Sequence, residues 1–66
     1  MTITLNGAAM ELPPGATLGE AARLLSLDPR TIIAELNEEA LHRDEWQSRP
    51  LQPGDRVEFL RLAAGG

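Results

Sequence analysis

The sequence predicts an α+β domain: a mixed sheet of four to five strands with one helix packed on one of its faces. Three observations predict it. The chain opens with two short segments of alternating apolar residues joined by Asn6-Gly7, the signature of a hairpin. One helical stripe follows, at Leu18, Ala21, Ala22 and Leu25. The rest of the chain returns to strand-like segments separated by turns, and a hairpin, a helix and more strands make an α+β layout. A length of 66 residues allows one domain. At that size only about 60% of the unfolded surface is buried. A deep cleft of the usual 300–1,000 Å³, roughly, is therefore not expected.

In order along the chain, Met1, Ile3 and Leu5 alternate with Thr2 and Thr4, a half-buried strand. Asn6-Gly7 suits a type I′ turn, whose two central residues need positive φ. Ala8, Met10 and Leu12 alternate with Ala9 and Glu11, and Pro13-Pro14-Gly15 ends this second strand. Thr17-Leu18-Gly19-Glu20 has the form of a capping box, in which Thr17 and Glu20 satisfy each other's backbone N–H groups. The helix is expected over about 18–26, with Asp28-Pro29 stopping it because the residue before proline leaves the helical region. Ile32, Ala34 and Leu36 should face the core from the next strand, with Ile33 and Glu35 outward. Asn37-Glu38-Glu39 is turn-like, and Ala40-Leu41-His42 can form a short strand. Arg43 to Pro50 has no clear period and is expected as a turn or one 3₁₀ turn, with Trp46 folded back as a lid on the core. Pro53-Gly54-Asp55 is a tight turn. Arg56 to Leu62 is the last strand, with Val57 and Phe59 inward and Arg56, Glu58, Leu60 and Leu62 on the other face. The first and last strands are expected side by side at the centre. The β domain thus runs over 1–62, and 63–66 forms a C-terminal arm.

Composition excludes several functions. Six Arg and no Lys stand against ten acidic residues, for a net charge of −4. An acidic chain with one Phe, one Trp and no Tyr lacks the basic patch and stacking rings that nucleic acid needs. Without Cys there is no disulfide, thiolate nucleophile or Cys-based zinc site. No apolar run is long enough to cross a membrane. The opening MTITLNG has neither the basic start nor the apolar stretch of a signal peptide, and the expected location is cytoplasmic. His42 is the sole histidine, with Ser26 and Ser48 in polar stretches, so no catalytic set converges. Glu38, Glu39, Asp44 and Glu45 form an acidic run that reads as a solvated face. The glycines make no phosphate-binding loop.

The informative feature is the Ala63-Ala64-Gly65-Gly66 end. At average glycine usage, two terminal glycines arise by chance in roughly one chain in two hundred. A free carboxylate is unreactive at neutral pH and must be activated, for example as an acyl-adenylate. Glycine lacks Cβ and permits close backbone approach in a narrow enzyme channel.

Taken together, these residues resemble the ubiquitin-like β-grasp sulfur carriers, and within them the ThiS-like family of bacterial thiamine biosynthesis. The resemblance covers essentially the whole chain. It rests on the strand ending in Asn6, on Thr17-Leu18-Gly19-Glu20, Leu36-Asn37-Glu38-Glu39 and Arg43-Asp44-Glu45-Trp46, on Leu51 to Glu58, and on Ala64-Gly65-Gly66. Two positions depart from the family pattern: Glu38 stands where members often carry Gly, and His42 where they often carry Pro. The resemblance implies a sulfur carrier rather than an enzyme, with no bound cofactor and no bound metal. A ThiF-like adenylyltransferase would use ATP and Mg to adenylate the Gly66 carboxylate. A cysteine desulfurase or other sulfur donor would then supply the sulfur of a thiocarboxylate, and a ThiG-like thiazole synthase would accept it. Gly65 and Ala64 would be the passage to Gly66. Ile33, Leu60 and Leu62, apolar and outward, are the candidate docking patch for these partners, since contiguous apolar patches mark interaction sites. The acidic excess can complement a basic surface on the adenylyltransferase. Alternatives are the carrier of molybdopterin synthesis, a ubiquitin-like modifier, and an interaction domain.

Overall fold

A computed structural model describes residues 1–62, so the four residues of the expected arm lie outside the described part. The chain runs β1 (Thr2–Leu5), β2 (Ala8–Glu11), α1 (Leu18–Leu24), β3 (Ile32–Leu36), β4 (Glu39–Leu41), α2 (Arg43–Trp46) and β5 (Arg56–Arg61). The five strands form one mixed sheet in the order β2-β1-β5-β3-β4. β1 and β5 are adjacent and parallel, and the other pairs are antiparallel. β5 therefore lies in the middle of the sheet, as expected.

Each turn has a local cause. Asn6 and Gly7 both take positive φ, 48° and 84°, as the hairpin requires. At the β3–β4 hairpin Asn37 and Glu38 do the same, at 51° and 72°. Glu38 is thus strained where glycine would not be. Asn37 holds this turn from above: its Oδ1 accepts from the Arg56 N–H at 2.9 Å, and its Nδ2 donates to Asp55 Oδ1 at 3.1 Å.

α1 begins with the expected box. The Thr17 hydroxyl accepts from the Glu20 N–H, 3.2 Å, and Glu20 Oε1 accepts from the Thr17 N–H, 3.1 Å. The helix ends earlier than expected. Ser26 adopts φ 57°, its N–H donates to Arg23 O and the Leu27 N–H donates to Ala22 O. This is a Schellman ending with serine in the left-handed position. It precedes Asp28-Pro29 and leaves Leu25 at 42% exposure rather than on the buried stripe. Leu27 packs against the core in its place.

Ile3, Ile32, Ala34, Leu36, Leu41, Val57 and Phe59 line one sheet face, and Leu18, Ala21 and Ala22 of α1 join them in a single buried cluster. Burying such aliphatic side chains contributes about 1.5–3 kcal/mol each. The segment expected as a turn forms the short helix α2, which swings Trp46 inward. Trp46 is 2% exposed, and its ring centroid lies 5.5 Å from that of Phe59 at a tilt of 51°. Its role as a lid is borne out. A backbone bond from Leu51 N–H to Ala16 O, 2.8 Å, ties the segment after α2 to the start of α1.

Candidate functional site

The sheet face away from α1 carries the candidate residues. Period two along β3 turns Ile33 and Glu35 outward, and along β5 it turns Arg56, Glu58 and Leu60 outward. The antiparallel register sets Ile33 directly opposite Leu60. Leu62 follows β5 and stays attached to the sheet, its N–H donating to Thr31 O at 2.8 Å. These three side chains are 42%, 46% and 47% exposed. Large aliphatic groups half open to water on a single face form an apolar patch. Ile33 and Leu62 also border a shallow depression of about 310 Å³ with Pro29, Leu41, His42 and Arg43. The structure thus brings Ile33, Leu60 and Leu62 together beside the point where the chain leaves the sheet. Ala64, Gly65 and Gly66 lie outside the described residues.

Near the same depression, Asp28 and Arg30 form a tight pair. The Arg30 guanidinium and backbone N–H both donate to the Asp28 carboxylate, with an ion pair of 3.0 Å. Hydrogen bonding from the Arg30 side chain, then from its backbone, holds the Asp28 carboxyl below the usual aspartate range. The same bonds push Arg30 up.

Nothing among the described residues gathers for catalysis. His42 lies exposed at the start of α2, where its N–H donates to Glu45 Oε1 at 3.3 Å. Ser48 is exposed as well, 3.5 Å from Asp44 O. The acidic run Glu38, Glu39, Asp44 and Glu45 is solvated throughout. No group of three His, Cys, Asp or Glu in the described part stands close enough to hold a metal ion. No helix there is long and apolar enough to cross a membrane.

One feature of this face escapes a residue-by-residue reading of the sequence. Glu35 stands directly opposite Glu58, one row along from Ile33 and Leu60. Alternation shows that both point outward, but only the register shows that they meet.

Comparison with known proteins places this geometry in context. The sequence model of the ThiS family matches residues 3–66. The sulfur carrier protein ThiS of Thermus thermophilus is 38% identical over 64 residues, covering 97% of this chain and 98% of that protein. The sulfur carrier protein ThiS of Escherichia coli is 27% identical over 66 residues, the full length of both. Among solved structures, the crystal structure of the thiamine biosynthesis protein ThiS from Geobacter metallireducens superposes with a TM-score of 0.81 at 29% identity, again over both full chains. A ubiquitin-like protein from Caldiarchaeum subterraneum superposes at 0.57 and 23% identity over 98% of this chain, a likeness of fold alone. The architecture is thus the expected ubiquitin-like β-grasp.

Proposed function

The chain belongs to the ThiS family, and from that premise we propose that it is a sulfur carrier for thiamine biosynthesis, a protein co-substrate and not a catalyst. The observation that carries this reading is the family match over residues 3–66, which runs to the final glycine. The names of the relatives support the same role.

In the proposed chemistry a carboxylate oxygen of Gly66 attacks the α-phosphorus of ATP and pyrophosphate leaves. ATP and magnesium belong to the ThiF-like adenylyltransferase, not to this chain. A sulfur nucleophile from a cysteine desulfurase or another donor then attacks the acyl carbon. AMP departs, and a C–S bond replaces the C–O bond to the phosphate. Where the sulfur arrives as a persulfide, a thiol supplies the two electrons that cleave its S–S bond. The terminal thiocarboxylate then delivers sulfur to a ThiG-like thiazole synthase. Gly65 and Ala64 carry little or no side chain, so the last residues fit a narrow channel. Ile33, Leu60 and Leu62 serve as the surface on which both partners dock; their shared face and half exposure support this.

The test is the intact mass of the protein isolated from its host under thiol-sparing conditions. The expected result is a species in which one oxygen is replaced by sulfur, absent when Gly66 is deleted. An unshifted mass, together with no ATP-dependent adenylation by the partner enzyme, would overturn the reading.

A further inference from the structure

Beside the apolar row of the outer face lies a second row that the isolated fold does not need. Glu35 and Glu58 face each other across the β3–β5 ladder. Like charges at directly opposed positions destabilise a sheet. Among the described residues no ion pair reaches either carboxylate: Arg56, the next outward residue on β5, pairs with Glu38 at 3.6 Å. Glu35, Glu58, Glu38, Arg56 and Thr4 wall a depression of about 200 Å³. Three carboxylates against one guanidinium leave it two charges negative. Its acids do not converge on a point a metal ion could occupy. A guanidinium differs: planar, with five donors in a fork, it bridges carboxylates that stand apart.

We propose that this depression receives an arginine side chain from the protein that docks on Ile33, Leu60 and Leu62, an inference that rests on the docking surface proposed above. The acidic row is continuous with that surface, and its charge calls for a cationic counterpart. Two residues along a strand span about 6.8 Å, so the partner's arginine stands roughly 7 Å from the apolar group it sets on Leu60. Charge pairs at the margin of an interface act mainly on register and encounter rate. That suits a carrier that must bind one enzyme, leave it and bind the next.

The test is a titration of the full-length chain against the ThiF-like adenylyltransferase of the same host, at low and high salt. Three forms are compared: the parent, the double variant Glu35→Gln/Glu58→Gln, and Leu60→Ala. The double variant should weaken Kd by roughly tenfold at low salt and lose most of the salt dependence. Its Tm should equal or exceed that of the parent, because the opposed charges are gone. Glu58→Arg, which fills the depression with a cation of the carrier's own, should weaken binding as well. Parent-like binding by the double variant, with Leu60→Ala weakened, overturns the arginine inference and leaves the docking surface standing. Parent-like binding by Leu60→Ala overturns the docking surface, and the inference with it. A double variant that binds poorly and also melts early marks the two glutamates as structural, which likewise overturns the inference.

Discussion

The side chain of Asn6 reaches across to the backbone of Phe59: Oδ1 accepts the Phe59 N–H at 2.9 Å, joining residues 53 apart in sequence. β1 ends at Leu5 and turns into the hairpin, so its backbone offers nothing further to β5. Asn6 extends the ladder with its side chain while its own φ of 48° makes the turn. Asn6→Gly keeps the turn and loses the bond, and should cost about 1 kcal/mol. Asn6→Ala loses both, and should cost about 2 kcal/mol or more. Urea unfolding separates the two; equal stability of Asn6→Gly and the parent would show that the bond contributes nothing.

Two residues occupy left-handed backbone without being glycine. Ser26→Gly should raise stability by about 0.5–1 kcal/mol by relieving φ 57° in the Schellman ending. Glu38→Gly should raise it less, because the exposed pair with Arg56 is lost along with the strain at φ 72°. Thermal unfolding of the two variants checks both signs, and a drop in Tm for Ser26→Gly refutes the account of the helix end.

Trp46 is buried, but its Nε1–H finds no partner among the described residues. Trp46→Phe keeps a ring beside Phe59 and removes the unsatisfied donor. It should cost about 1 kcal/mol, whereas Trp46→Ala opens a cavity and should cost about 3–5 kcal/mol. Chemical denaturation gives the ratio. Equal losses would mean that ring packing is not what Trp46 supplies.

Leu60 is nearly half exposed and outside the core. Leu60→Ala should change stability by less than about 0.5 kcal/mol and weaken partner binding severalfold. Calorimetry with the adenylyltransferase reads the binding, and melting reads the fold.

Asp28 gives a pH signature. Its pair with Arg30 lowers the folded carboxyl below the ordinary value of 3.8. A lowered folded pKa means that the unfolded chain takes up the proton first. The pair's contribution is therefore whole above 3.8 and is lost as pH falls through the folded value. Carbon-detected NMR titration should place the Asp28 midpoint below 3.8, and the Arg30→Ala variant should restore it. A parent midpoint at or above 3.8 would count against the pair.

Legibility in the sequence followed the range of the interaction. Asn6-Gly7 announced its hairpin because few dipeptides accept two positive φ angles. Thr17 and Glu20 announced the helix start because the box is closed within four residues. Ile32, Ala34 and Leu36 showed their face by alternation alone. The helix end was hidden because serine rarely fills the left-handed position, and Asp28-Pro29 two residues later offered a stronger stop. α2 is one turn long, too short for any period to show. At the candidate site the outward direction of Ile33, Leu60 and Leu62 was legible. The opposition of Glu35 and Glu58 was not, because it depends on how strands more than twenty residues apart align.

The parallel pairing of β1 with β5 has a mechanical consequence. The first and last strands of the chain lie side by side, joined from Thr4 N–H to Asp55 O, from Asn6 N–H to Val57 O and from Phe59 N–H to Asn6 Oδ1. A pull applied between the two ends runs along both strands and across these bonds, so it loads them in shear, all at once. An enzyme that grips the far end of β5 and tugs therefore meets a clasp and not a zipper: the domain resists as a unit instead of peeling away strand by strand.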